Sequence, residues 1–139
     1  MSRIMGIDYG QRKVGIAISD ELHLFAKPYV TITNRSRAEL DLQLADIIEK
    51  ERVTKIVVGI PYHLDGQASK QTEHILRFIN HLHNQFQIPV TTYDERYSSE
   101  EANEILIKKK VSIKKSKEKI DQIAASIILQ SYLNSIEKE

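Results

Sequence analysis

The chain has 139 residues, of which 41% are hydrophobic and 28% charged, and its formal net charge is +1. This length and composition predict a single globular domain over residues 1–139 with a substantial core. The absence of cysteine excludes disulfides, thiolate zinc sites and thiol nucleophiles. No apolar stretch approaches the roughly 20 residues of a membrane span, and the first apolar run stops at Asp8 with no cleavage site after it. We therefore expect a cytoplasmic protein.

The first third of the chain shows the patterns of three antiparallel strands. Residues 3–8 form a short apolar run, and a turn follows over residues 10–13. A third strand is predicted over roughly residues 25–33. In the second strand, large apolar residues alternate with small ones, namely Val14, Ile16 and Ile18 with Gly15, Ala17 and Ser19. The small residues predict that another backbone or a ligand comes close to that face.

Beyond residue 35 the pattern alternates between helices and strands. Ser36 and Glu39 form a capping box, and Lys55–Ile60 is an apolar run typical of a central strand covered on both faces. Helices are then predicted over about 69–86, from Ser98 and over about 117–138, with a strand over 89–93. In the helix over 69–86 we expect five residues to face inward: Ile75, Leu76, Ile79, Leu82 and Phe86. With right-handed crossovers, this order predicts an α/β fold with a mixed five-stranded sheet, in the order 3-2-1-4-5, flanked by helices.

Three carboxylates are expected to converge at one edge of this sheet. Asp8 ends strand one, Glu95 follows strand five, and Asp121 opens the last helix. Ligands of open α/β sheets bind beyond the carboxyl ends of the strands, near the switch in strand order. Because acids in one pocket repel one another, such a cluster usually holds divalent cations, and paired cations cleave phosphodiesters. The sequence therefore suggests an Mg²⁺ or Mn²⁺ site and hydrolysis of phosphodiester bonds.

Each of these acids also has a purely local interpretation. Asp8 could cap the turn that follows it, and Glu95 could pair with Arg96 or cap the next helix. Asp121 could be favoured by the dipole at a helix N-terminus. Against this, its helix-face neighbours are Ala124, Ala125, Ile128 and Tyr132, and an ionised carboxylate on an apolar face is costly unless it is paired or bound to metal. The two small alanines would let the helix approach the sheet.

A concentrated positive segment precedes Asp121. Seven lysines and one acid, Glu118, occur between residues 108 and 119. The segment could be a solvated loop, or it could contact the phosphates of a nucleic acid. In the second interpretation the phosphates would be held by Arg12, Lys13, Arg96, Lys114, Lys115 and Lys117. Arg96 is equally suited to orienting a carboxylate.

Several motifs, taken in order, cover nearly the whole chain and resemble the YqgF/RuvX family. They are Gly6–Gly10, Val14–Asp20, Val57–Pro61, Asp65-Gly66, Asp94–Ser98 and Ile120–Ala125. The resemblance implies a ribonuclease H-like fold, consistent with the predicted sheet, and a relation to Holliday junction resolvases. It also implies processing of the 5′ end of pre-16S ribosomal RNA, with Asp8, Glu95 and Asp121 as the catalytic, metal-binding triad. The chain departs from the family in having the order Arg12-Lys13 and in having His63 where asparagine is frequent.

Alternative functions stay open at this point. A junction resolvase would act on branched DNA as a dimer, and a non-catalytic ribosome-assembly factor could use the same surface to contact ribosomal particles. Sugar kinases and actin-like ATPases also begin with an Asp-x-Gly hairpin, but they need a second lobe that 139 residues cannot supply. Precursor rRNA is favoured over branched DNA as the partner, and the chain is expected to be a monomer or a homodimer.

Overall fold

The structure is a computed structural model, and it describes residues 2–60, 70–94 and 119–137. The helix predicted from Ser98 lies outside these residues. The elements run in the order β1 (Arg3–Tyr9), β2 (Lys13–Ser19), β3 (Ala26–Thr33), α1 (Arg37–Glu51), β4 (Val53–Ile60), α2 (Lys70–Gln85), β5 (Val90–Asp94) and α3 (Ile120–Glu137).

The five strands form one mixed sheet in the order β3-β2-β1-β4-β5, as the sequence predicted. β1 is antiparallel to β2 and parallel to β4, and β5 is parallel to β4. Asp8 lies opposite Gly15 on β2, one residue beyond the pairing of Ile7 with Val58 on β4. The strand order changes direction between β1 and β4, so the carboxyl end of β1 lies at the topological switch.

The sheet is covered on both faces, which explains the continuous apolar run in β4. On one face, residues such as Ile7 and Val58 pack with the buried sides of α1 and α2. On the other face, Ile4, Ala17 and Val57 pack against α3. Because successive residues of a strand point to opposite faces, neighbours in β1 such as Asp8 and Tyr9 serve different sides of the sheet.

The start of α1 and the buried face of α2 test two predictions made from local patterns. The Oγ of Ser36 accepts a hydrogen bond from the backbone N–H of Glu39 at 3.1 Å, so Ser36 caps α1 as expected. In α2, however, Leu76 is 43% exposed and Phe78 is fully buried. Phe78 lies three residues after Ile75 on the same side of the helix, whereas Leu76 is turned about 100° away from Ile75. The prediction for Leu76 was therefore wrong.

None of the described helices is long and apolar enough to cross a membrane.

Candidate active site

The first turn of α3 lies directly on Gly15 of β2. A Cβ placed on Gly15 would come within 1.9 Å of the carbonyl oxygen of Asp121 and 2.8 Å of the backbone nitrogen of Gln122. No side chain fits in that space, so glycine is required for this approach of helix to sheet. The small face of β2 that the sequence showed is thus the docking surface for the helix that carries Asp121.

This contact brings Asp121 to Asp8. Asp8 is the residue paired with Gly15 in the neighbouring strand, so the backbone of Asp121 rests beside the position of Asp8. Burial, and after it the charge of Asp121, raises the pKa of the Asp8 carboxyl from 3.8 to about 6. Two acids far apart in the chain therefore meet at the carboxyl end of β1. The raised pKa of Asp8 means that its neutral, protonated form is favoured there.

Further along α3, close packing fixes the direction of the helix. A Cβ on Gly6 would lie 2.7 Å from the Cβ of Leu129 and 3.0 Å from the carbonyl oxygen of Ala125. Ala125 and Leu129 are completely buried. This agrees with the prediction that a small residue in the last helix lets it approach the sheet. Two glycines on adjacent strands thus hold α3 in one position, and that position determines where its first acid lies.

The third acid of the predicted triad, Glu95, lies outside the described residues. It follows directly after Asp94, the last residue of β5, which pairs with Ile60 of β4. Within residues 2–60, 70–94 and 119–137, no group of three or more histidine, cysteine, aspartate or glutamate side chains could hold a metal ion.

Two of the predicted nucleic-acid contacts lie beside this edge. Arg12 and Lys13 are exposed at the turn between β1 and β2. Asn34, just after β3, holds that turn: its backbone N–H donates to the carbonyl of Arg12 at 2.8 Å, and its Nδ2 donates to the carbonyl of Gly10 at 3.0 Å. The remaining predicted contacts lie outside the described residues, namely Arg96, Lys114, Lys115 and Lys117.

Comparison with known proteins identifies the family. A family model described as "RuvX: Holliday junction resolvase" matches residues 2–135. The chain belongs to the RuvX family.

A curated relative agrees with this assignment, and solved structures show the fold. A protein of Halothermothrix orenii that carries the provisional name pre-16S rRNA nuclease is 44% identical over 133 residues, which cover 95% of this chain and 94% of the relative. The fold is ribonuclease H-like: RuvC of T. thermophilus, solved with a Holliday junction substrate, is similar with a TM-score of 0.61 at 11% identity, over 99% of this chain and 96% of RuvC. The Fowlpox virus resolvase, solved with junction DNA, gives a TM-score of 0.60 at 17% identity, over 96% and 98% of the two chains.

Sequence reasoning missed three residues beside the site of this RuvX-family chain. Asn34 gave no signal, since a single polar residue after a strand is common, and only the fold shows which turn it holds. Lys70 and His74 face a cavity next to Arg12. Their spacing of four residues on the exposed side of α2 was the available signal, because residues four apart share a helix face.

Proposed function

We propose that this chain is a divalent-metal-dependent nuclease that hydrolyses phosphodiester bonds in the processing of the 5′ end of pre-16S rRNA. The observation that carries the proposal is the seating of Asp121 on Gly15, opposite Asp8, which brings two carboxylates together at the topological switch of the sheet. The names of close relatives supply the substrate, and the proposed rRNA substrate implies a cytoplasmic site of action.

The residues at this edge suit a hard divalent cation. Carboxylate oxygens are the ligands that Mg²⁺ and Mn²⁺ prefer. Burial, and after it the charge of Asp121, raises the pKa of Asp8, and a bound cation would favour the ionised form of both acids. Asp8, Asp121 and Glu95 would hold the metal. When bound, a pair of such ions activates water for attack and stabilises the leaving oxygen.

The other residues of the site position the substrate. Arg12 and Lys13 extend from a turn that Asn34 holds, so their charges are available to the phosphates on either side of the reacting bond. We assign the same phosphate-binding role to Lys114, Lys115 and Lys117. Arg96, next to Glu95 in the chain, either binds a phosphate or orients that carboxylate.

A junction resolvase is the second candidate, because the matching family model is described by that activity. It would use the same acids on branched DNA, and it would need two active sites and hence a dimer. The two functions differ in substrate and in the number of chains that act together, not in the chemistry at Asp8.

One cleavage assay separates these candidates. The purified protein is incubated with end-labelled precursor RNA carrying the 16S 5′ leader, or with a four-way DNA junction, in Mg²⁺, in Mn²⁺ or in EDTA. We expect the RNA to be cut in metal and to stay intact in EDTA. Preferential cutting of the junction would establish the resolvase instead, and no metal-dependent cutting of either substrate would leave a non-catalytic assembly factor.

Variants connect the activity to the residues. Asp8→Asn and Asp121→Asn should each lower the rate by at least about 100-fold, since loss of even an outer-shell partner of a metal site costs 10–100-fold. Asp46→Asn, which neutralises an exposed carboxylate on α1, is the matched control and should cut normally. If Asp8→Asn retained the full rate at equal purity, Asp8 would have no part in catalysis.

A further inference from the structure

A cavity of about 510 Å³ lies between the β1–β2 turn and α2, on the other side of the sheet from Asp121. Among the described residues, its walls come from two separate parts of the chain, residues 9–12 and residues 70–75. The volume is within the range of pockets that hold one small ligand or one unit of a polymer. In the part of the chain that the structure describes, the lining residues are Tyr9, Gly10, Gln11, Arg12, Lys70, Gln71, His74 and Ile75.

One part of the cavity lining is basic, and another part is apolar. Arg12, Lys70 and His74 contribute cationic or proton-donating groups, and none of the described lining residues is an acid. The apolar part is formed by the half-buried Tyr9 and by the edge of Ile75, most of which is buried in the core. Such a lining suits a ligand that has an anionic group for the basic part and a flat ring for the apolar part. A nucleotide has both, in its phosphate and its base.

The cavity is open rather than enclosed, which favours a polymer over a free metabolite. The side chains of Gln11, Arg12, Lys70 and His74 are all exposed to solvent. A small metabolite is usually buried over most of its surface, whereas a nucleic-acid strand passes through an open groove and leaves at both ends.

One wall of the cavity is already ordered. The ring of Tyr9 stacks on that of Phe78 with centroids 4.0 Å apart and an interplanar angle of 16°. Asn34 holds the carbonyls of Gly10 and Arg12 from the outside of the turn. A wall that is fixed before binding loses little conformational entropy when the ligand arrives.

The position of the cavity connects it to the acids. Tyr9 follows Asp8 in β1, so the two side chains leave the same strand end towards opposite faces of the sheet. A strand whose reacting phosphate lay at Asp8 would have to pass over the edge of the sheet to reach the cavity. We propose that the cavity binds a neighbouring nucleotide of that strand, with Arg12 and Lys70 on its phosphate and Tyr9 and Ile75 against its base. This inference rests on the proposed function and extends it to the path of the substrate.

Binding measured without metal tests this assignment. A fluorescent single-stranded RNA of about ten nucleotides is titrated with Asp8→Asn protein, and then with the same protein carrying Lys70→Gln, in EDTA at several salt concentrations. We expect Lys70→Gln to weaken binding about tenfold. The slope of log K against log salt should fall by about 0.7, the value for one lost phosphate contact on a single strand.

Arg77→Gln is the matched control, because it removes one exposed positive charge from the same helix away from the cavity. It should change binding less than twofold. If Arg77→Gln weakened binding as much as Lys70→Gln, the effect would come from the general charge of α2, and the inference would be wrong.

A second titration separates a nucleotide from a bare anion. Adenosine monophosphate and inorganic phosphate are each added while the methyl resonances of Ile75 and the ring resonances of His74 are followed by NMR. The nucleotide should shift both sets and phosphate only the ring. Equal shifts from both ligands, with Ile75 unchanged, would overturn the assignment to a nucleotide.

The binding test of the cavity and the cleavage test of the proposed function can fail separately. Metal-dependent cleavage with unchanged binding in Lys70→Gln would overturn the cavity and leave the proposed function standing. Weakened binding without any cleavage by the unaltered protein would overturn the proposed function and leave the cavity.

Discussion

Replacing Asp8 by asparagine should stabilise the metal-free protein at neutral pH while removing its activity. The folded protein holds the carboxyl of Asp8 at a pKa of about 6, against 3.8 for an unperturbed aspartate, because of burial and the nearby charge of Asp121. Ionisation of Asp8 therefore opposes folding. Asparagine has nearly the same shape and carries no charge, so it relieves this opposition.

The magnitude and its pH range follow from the two pKa values. Below pH 3.8 the carboxyl is protonated in both the folded and the unfolded protein and contributes nothing. Between 3.8 and about 6 the folded state retains a proton that the unfolded state has lost, so stability falls as pH rises. Above pH 6 the full penalty is present, roughly 3 kcal/mol at about 1.4 kcal/mol per pKa unit.

Urea unfolding in EDTA at intervals from pH 4 to pH 7.5 measures this difference. The free energy of unfolding of Asp8→Asn minus that of the unaltered protein should be small at pH 4 and should rise to about 2–3 kcal/mol at pH 7.5. Asp46→Asn, on the exposed side of α1, should show no such rise. A difference that is flat with pH, or an asparagine variant that is the less stable protein at pH 7.5, would refute the electrostatic reasoning.

Metal should cancel most of this difference in stability between the two proteins. Mg²⁺ at about 100 times its dissociation constant should stabilise the unaltered protein by roughly 2.7 kcal/mol, and Asp8→Asn much less. Equal stabilisation of both proteins would show that the cation binds away from Asp8.

Three further perturbations test the contact of α3 with β2, the β1–β2 turn and the loop after β2. Gly15→Ala should move Asp121 and abolish cleavage, because the added methyl group has no room. The free energy of unfolding, measured with urea, should fall by about 1–3 kcal/mol. Ala17→Gly is the control, which should lose stability without moving Asp121. Asn34→Ala should lower stability by about 1 kcal/mol and weaken binding of single-stranded RNA in an anisotropy titration, because the turn loses its side-chain hydrogen bond. Asp20→Ala should destabilise the protein at pH 7, because the Asp20 carboxylate accepts hydrogen bonds from two loop N–H groups at 2.7 and 2.8 Å. These hydrogen bonds hold the pKa of Asp20 below its usual value. The difference in the free energy of unfolding, measured with urea, should therefore vanish as the pH falls through that lowered pKa.

The results that would contradict these expectations are distinct. Full activity in Gly15→Ala would mean that the first turn of α3 need not touch β2. Unchanged RNA binding in Asn34→Ala would mean that the turn is held by other contacts. A pH-independent effect of Asp20→Ala would mean that its charge has no part in ordering the loop.

Much of the fold was predictable because the local patterns agree with the tertiary structure. The alternation in β2, the continuous run in β4 and the cap at Ser36 each indicated an element that the structure contains. Leu76 shows the limit of such patterns. The apolar residues of α2 spread over more of the helix surface than the sheet can cover. Only packing against the sheet decided that Phe78 is buried and Leu76 is exposed.

The candidate site was only partly predictable. Asp8 and Asp121 were identifiable as acids at a strand end and on an apolar helix face, and the small face of β2 indicated that something approaches it. Their meeting depends on which helix docks on Gly15 and in what register, and more than 100 residues separate the two elements. For the basic cavity, the local pattern offered only the spacing of Lys70 and His74 on α2, and the contact of Asn34 with its turn gave no local signal, since the parts come from β1, α2 and the end of β3.

By itself, the sequence determined the order of the strands and helices, the face of β2 that had to stay small, and which acids were available. These follow from side-chain size, polarity and period, which act over a few neighbouring residues. The tertiary structure alone decided that the backbone of Asp121 rests on Gly15 beside Asp8, because that contact is made between surfaces that exist only after the sheet has formed.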